Sequence, residues 1–353
     1  MNLIFGATEI TERPRGLTFD DVLMVPQHSE INSRRSPDLS SQLTRNYRFD
    51  IPVISSNMDT ISESDMCLAM ARLGGQGILH RFMTTQEQVA QVKLIRGTQD
   101  SEGLKAPIAA SIGVKEEGKE RAHALVDAGV NILTIDIAHG DSVMMFEVLD
   151  YVKKQFPSID VIAGNVAGGD GLRRLVDHGA DAIKVGIGGG SMCTTRIITG
   201  CGVPQLTSIA LAYGEAKKYG VPIISDGGHR TSGDITKALA AGAQSVMLGS
   251  MLSGTLETPG EVKGGKKRYR GMASKDAQVS WRGELPKGMA AEGEATLIAC
   301  KGPVENIITE ITGGVRSGMT YLNALTVAQI YENARFMEMT PSGMAESRPH
   351  GVR

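Results

Sequence analysis

Eight short runs of β-branched and other aliphatic residues recur along this chain, each followed by a stretch with helical periodicity. The runs are IPVISSNMD (51–59), GGQGILHR (74–81), APIAASIGV (106–114), NILTIDIAHG (131–140), DVIAGNVAG (160–168), AIKVGIGGG (182–190), VPIISDGGH (221–229) and SVMLGSML (245–252). Most begin about 22 to 32 residues after the one before, the length of one strand–helix unit. They do not alternate strictly between apolar and polar residues, which is the pattern of parallel strands covered on both faces. The intervening stretches, such as SESDMCLAMARLG and EEGKERAHALVDAG, carry the apolar spacing of amphipathic helices. HRTSGDITKALAAGA adds Thr, Ser and Asp near its start and Gly at its end, the expected cap asymmetry.

Eight consecutive βα units predict one α/β architecture, a single (β/α)8 TIM barrel. The competing design is a doubly wound open sheet. No glycine fingerprint follows the first run, and no acid sits at dinucleotide-binding distance beyond one, so the barrel is expected. Residues 1 to about 50, including GLTFDDVLMVPQHSE, read as an N-terminal strap over one end. The connection after the eighth run, about 255–303, reads as a long flap, after which VENIITEITGGVRSGMTYL closes the ring. The whole chain, 1–353, is expected to be one catalytic domain.

The net charge of −2 leaves no electrostatic footprint for nucleic acid or a membrane surface. The longest apolar runs fall far short of the roughly 20 residues a membrane span needs. The N-terminus lacks the basic-then-apolar layout of a signal peptide, and Cys67, Cys193, Cys201 and Cys300 form no CxxC pair. Free thiols in a reducing, cytoplasmic compartment are expected.

Long loops after barrel strands collect function. The loop after the sixth run, GGGSMCTTR, places Cys193 among glycines, threonines and an arginine rather than among aliphatics. Free amides and a nearby cation favour the reactive thiolate, so Cys193 is the nucleophile candidate, whereas Cys67 lies inside a helical stretch. Gly228, Gly249 and Ser250, after the seventh and eighth runs, can offer amides to a phosphate, and Ser191 can add a hydroxyl; alternatively these glycines only let strands turn. Asp226 can accept from a ribose diol, cap a helix or form a structural ion pair. Glu292, in MAAEGE, can meet Thr195 across the barrel and relay protons, or stay solvated. Asp136 can hold a cofactor ribose, orient His139 or cap the next helix.

LTFDDVLMVP, SSNMDT, TIDIAHGDS, KVGIGGGSMCTTR, SDGGHRTSGDI, MLGSMLSGT, YRGMAS and GGVRSGMTY together resemble one family, the IMP dehydrogenase and GMP reductase barrels, over nearly the whole chain. The resemblance implies that Cys193 forms a covalent thioimidate at purine C2, with Thr195 and Glu292 handling protons. It implies that Ser56, Ser191, Asp226, Gly228, Gly249, Ser250 and Tyr269 hold a nucleotide's ribose and phosphate, and that Met272 touches the base. Asp136 and Gly186 would line the nicotinamide pocket. A homotetramer is implied, as is a potassium ion on the carbonyls of Gly188, Gly190 and Cys193 in the dehydrogenase branch.

Within that family the chain resembles the reductases more. The junction GTQDSEGLKAP leaves no room for the CBS modules usual in dehydrogenases, and ASKDAQVSWRGELPKGMAA lacks their water-activating Arg-Tyr pair. The expected activity is therefore NADPH-dependent reduction of GMP to IMP and ammonia. The alternative is a CBS-less IMP dehydrogenase using NAD. The tail PSGMAESRPH resembles dehydrogenases, Gly189 stands where a proline is usual, and Met289 and Ala291 stand where some reductases read guanine. Arg282 would then either contact the base or activate water.

Overall fold

The computed structural model describes residues 3–284, 287–349 and 351, apart from the Arg282 side chain, so the expectation placed on that guanidinium lies outside the described residues. The eight runs form eight parallel strands: β1 (Val53–Ser55), β2 (Gln76–Leu79), β3 (Ala109–Ile112), β4 (Ile132–Asp136), β5 (Asp160–Val166), β6 (Ala182–Val185), β7 (Ile223–Asp226) and β8 (Ser245–Leu248). They pair in chain order, and β8 closes on β1 with Leu248 opposite Ser55. The fold is a (β/α)8 barrel, not the open sheet.

Alternation within each strand explains why the runs look uniformly apolar. One residue per strand (Ile54, Ile78, Ala109, Ile132, Ile162, Ala182, Ile224 and Met247) packs into the barrel interior. Their neighbours, such as Val53, Leu79, Leu133, Ile183 and Val246, pack outward under the helices. Both faces are buried, so hydropathy does not alternate although the side chains do.

Two residues further along each strand, the same inward register carries polar residues or glycine: Ser56, His80, Ser111, Thr134, Gly164, Lys184, Asp226 and Gly249. An apolar floor thus supports a polar layer at the C-terminal mouth, where barrel sites are built.

The surrounding helices are α1 (Ser64–Arg72), α2 (Thr85–Glu102), α3 (Glu116–Asp127), α4 (Val143–Gln155), α5 (Gly169–Asp177), the short α6 (Thr195–Thr199), α7 (Gln205–Tyr219) and α8 (Ser232–Ala240). Thr84 and Glu87 cap α2 reciprocally, as Thr231 and Asp234 cap α8. The described residues contain no helix long and apolar enough to cross a membrane.

The N-terminal segment does two things. Ile4–Gly6 and Val22–Met24 flank the strand Arg335–Glu338 in an antiparallel sheet, which ties the chain's two ends together. A hairpin of Ser41–Gln42 and Arg48–Phe49 drives Leu43 and Phe49 into the barrel's lower end. Asp160 anchors it, accepting from the Thr44 hydroxyl and, at 2.7 Å, from Asn46 Nδ2. A small hairpin or strap closing one end was expected at GLTFDDVLMVPQHSE; the hairpin that plugs the barrel lies farther along, at 41–49.

After β8 the chain forms a second hairpin, β9 (Lys266–Arg270) with β10 (Ala295–Ala299). Its excursion holds α9 (Lys275–Arg282) and Glu292. The helices α10 (Val304–Tyr321), α11 (Val327–Asn333) and α12 (Pro341–Glu346) complete the chain.

Candidate active site

A cavity of about 600 Å³ opens at the C-terminal ends of the strands. Apart from Arg282, the residues expected to act on or bind the ligands line it: Cys193, Thr195 and Glu292; Ser56, Ser191, Asp226, Gly228, Gly249, Ser250, Tyr269 and Met272; Asp136 and Gly186; Gly188 and Gly190.

Cys193 is half-buried on the loop after β6. Its Sγ lies 3.1 Å from Thr195 Oγ1, which donates to Glu292 Oε2 at 2.7 Å. The backbone fixes this chain of groups. Thr194 N donates to Glu292 O (3.1 Å), Glu294 N to Met192 O (2.9 Å) and Glu292 N to Ala273 O (3.0 Å). The cysteine loop and the flap are therefore sewn together strand-fashion. Arg196, the cation expected beside the thiol, also braces the loop: its Nη2 donates to Val203 O at 2.6 Å and to Ile187 O at 3.4 Å. Cys67, by contrast, is enclosed, and burial with Glu63 nearby pushes its thiol far up.

Gly186 sits where β6 meets the end of β7, at φ +146°, and a Cβ there would fall 2.1 Å from Asp226 O. Only glycine permits that approach. Across the cavity, Ser191 Oγ and Tyr269 Oη are 3.1 Å apart, and a Cβ on Gly249 would meet Tyr269 Oη at 3.2 Å. Burial raises the Tyr269 phenol, so it stays a neutral donor. Met272 Sδ accepts from Asp59 N at 3.4 Å, and Met272 O accepts from Gln278 on α9 at 2.8 Å.

Asp136 neither orients His139 nor caps a helix through any described bond. It accepts from Lys184 Nζ (2.8 Å) and from Asn57 Nδ2 (3.1 Å). Asp226 accepts from the same ammonium (2.8 Å) and from Asn165 Nδ2 (2.9 Å), so the ion-pair alternative for Asp226 is realised inside the cavity. Lys184, Asn57 and Asn165 were missed in the sequence. Only Lys184 carried a signal, a polar residue in the inward register of an otherwise apolar run; Asn57 and Asn165 come one position after that register, beyond Ser56 and Gly164.

The Gly190 carbonyl accepts from Cys193 N at 3.1 Å, within the loop expected to ligate potassium. Among the described residues no group of three or more His, Cys, Asp or Glu is arranged around a metal position.

His229 lines the cavity wall behind Gly228, with Nε2 3.0 Å from Ser225 Oγ and its ring against Phe19. Burial lowers its pKa to about 4, against smaller opposing pulls from Asp234 and Asp226. An unfolded chain takes up this proton near pH 6.5, the folded one only near 4. The neutral ring therefore contributes stability that is present above pH 6.5 and lost as pH falls from 6.5 to 4. The stability gap between wild type and His229→Asn should shrink by about 3 kcal/mol between pH 7.5 and 4, read from urea midpoints. A gap independent of pH would refute the neutral assignment.

Comparison with known proteins agrees with this geometry. The family model for the IMP dehydrogenase / GMP reductase domain matches residues 16–350. The chain belongs to this family. It is 40% identical to the inosine-5'-monophosphate dehydrogenase of Cryptosporidium parvum, covering 96% of each chain. It is 37% identical to the enzyme of that name from Nitrosopumilus maritimus (97% of this chain, 99% of the relative), and 33% identical to the GMP reductase of Leishmania major (96% and 97%). Among solved structures it resembles a GMP reductase from Trypanosoma brucei in complex with guanosine 5'-monophosphate: TM-score 0.88, 33% identity, 98% of this chain and all of that one. Relatives of both names thus share its full length, and both branches of the family are near it.

Proposed function

We propose that this family member is a GMP reductase, releasing ammonia from GMP with hydride from NADPH to make IMP. The observation that carries the reading is the Cys193–Thr195–Glu292 chain of groups, set beside the flap segment ASKDAQVSWRGELPKGMAA, which has no Arg-Tyr pair. Thr195 and Glu292 can move a proton to a leaving amine, while the flap sequence lacks the family's water-activating pair for hydrolysing a thioimidate.

The nucleotide fits the cavity's two walls. Ser56, Ser191, Gly228, Gly249, Ser250 and Tyr269 present hydroxyls and uncrowded backbone to a phosphate, and Asp226 keeps Oδ1 for a ribose diol. A nicotinamide fits beside Asp136 and Gly186. There Asn165 Oδ1 is buried without a described hydrogen-bond partner, a ready acceptor for a carboxamide.

In the proposed reaction the thiol proton passes through Thr195 to Glu292 as the Cys193 sulfur bonds to purine C2. The 2-amino group leaves as ammonia, taking a proton back along the same path. A reduced nicotinamide supplies the hydride to C2 when bound. The C–S bond then breaks with its electron pair staying on sulfur, which takes one proton from solvent to restore the thiol as IMP is released. GMP, NADPH and one proton thereby give IMP, NADP+ and ammonia. A homotetramer and a potassium ion on Gly188, Gly190 and Cys193 belong to the same proposal by family resemblance, and the cytoplasm by the unpaired cysteines.

A second reading, an IMP dehydrogenase using NAD, is favoured by the names of the 40% and 37% identical relatives. One experiment separates them. Purified protein is given GMP with NADPH, or with NADH, and IMP with NAD, following absorbance and ammonia. Oxidation of NADPH with stoichiometric ammonia is the expected result. XMP formation from IMP without turnover of GMP would reverse the branch.

A further inference from the structure

Lys184 is the one lysine carried by the eight barrel strands, and its side chain is almost completely buried, in the polar layer just above the apolar floor. Its neighbour on β5 is Gly164, where a Cβ would fall 2.6 Å from Lys184 Cβ, so the pairing has room only because residue 164 has no side chain. From this place Nζ reaches two carboxylates on strands that are not its own. Asp136 Oδ1, at the end of β4, and Asp226 Oδ2, at the end of β7, each lie 2.8 Å away.

We infer that Lys184 is a positioning residue joining the two halves of the site: its single ammonium aims Asp226 at the nucleotide ribose and Asp136 at the cofactor. The inference rests on the function proposed above. The two bonded carboxylate oxygens can be no farther apart than twice the Nζ–O distance. At that spacing in a buried site two negative charges repel strongly unless a cation lies between them. Burial opposes the Lys184 charge, but Asp136 and Asp226 outweigh it and hold the ammonium above the ordinary lysine range. Burial likewise opposes the Asp136 charge, and Lys184, Arg81 and Asn57 together outweigh it. The other groups facing Asp226 are uncharged near neutrality: His229 is held down to about 4 and the Tyr269 phenol is raised.

Orientation follows from the same bonds. Asn57 and Lys184 take opposite oxygens of Asp136. Lys184 and Asn165 both take Oδ2 of Asp226, which leaves its Oδ1 for a diol. Without the ammonium one acid takes up a proton or both swing apart, and the nucleotide loses its ribose acceptor.

The test uses the full chain and calorimetric titration with GMP and with IMP, alongside thermal unfolding. Lys184→Met should weaken nucleotide binding about 30-fold or more. Lys184→Arg, which keeps the charge, should recover most of that loss. The decisive variant is K184M/D136N, which removes one carboxylate with the cation. It should bind the nucleotide within about fivefold of wild type while remaining slow in turnover, because the cofactor side is still damaged. A purely structural role for Lys184 predicts no such rescue. Folded K184M with wild-type affinity, or a double variant no better than K184M, would overturn the inference. If K184M does not fold, K184M/D136N is compared with D136N: equal affinity supports the role, and a further 30-fold loss overturns it. Wild type that binds neither GMP nor IMP would instead sink the proposed function, and this inference with it.

Discussion

Cys193→Ala is expected to lower turnover by about 10⁴-fold or more while leaving nucleotide binding within about threefold of wild type. The sulfur is the cavity's only thiol among the described residues, and no other lining group offers a comparable nucleophile in contact with a proton acceptor. Removing it deletes the covalent route rather than slowing one step of it. Binding should survive because most of the proposed phosphate and ribose contacts lie on other elements, with only Ser191 on the cysteine loop: Ser56 after β1, Asp226 at the end of β7, Gly249 and Ser250 after β8, and Tyr269 on β9. The loop also survives, since its shape comes from the backbone bonds of residues 192 and 194 and from Arg196, not from the thiol. Steady-state rates, calorimetry and mass spectrometry of substrate-treated protein test this together. Wild type should carry a nucleotide-sized adduct and the variant none. Retained turnover in the variant would end the covalent mechanism.

Glu292→Gln is expected to reduce kcat about 10²- to 10⁴-fold with little change in KM. The amide keeps the size of the carboxylate and can still accept from Thr195 at about the same place. It cannot take and return a proton. Thr195→Val breaks the same path one atom earlier, so the two losses should not multiply. The T195V/E292Q double variant should be about as slow as the slower single variant, because groups acting in series fail as a unit. The comparison also has a pH signature: the limb of the wild-type kcat profile that reports the relay should be missing from E292Q. Multiplying losses would show that Thr195 and Glu292 work independently, and the relay would have to be abandoned.

The sequence carried much of this. The eight runs became the eight barrel strands, because parallel strands packed on both faces leave a continuous aliphatic signature. Cys193 stood out because its neighbours are glycines and hydroxyl residues, a setting in which a structural cysteine has nothing to pack against. The glycines after the seventh and eighth runs also pointed to the right end of the barrel. Less was legible where partners are far apart in the chain. Thr195 and Glu292 are 97 positions apart, and nothing local to either says that they touch. Lys184 looked like one polar interruption in AIKVGIGGG, and its two carboxylates lie in other runs. The hairpin that plugs the barrel was hidden in a polar segment, because only Leu43, Phe49 and the partly buried Tyr47 of it pack against the barrel's inner cluster.

What the amino-acid order determined by itself was local: which segments extend, which coil, where backbone can approach backbone, and where a thiol sits without apolar cover. These depend on residues within a turn or two of one another, through steric limits, caps and the period of burial. What only the tertiary structure decided was who meets whom at the mouth: Lys184 with Asp136 and Asp226, Arg196 with the carbonyls of its own loop, and that Glu292, one candidate partner for Thr195, in fact touches it. The physical reason is ring closure. Until β8 bonds to β1, the strand ends that carry these groups have no fixed separation, and the charges and hydroxyls of the site have no partners to choose.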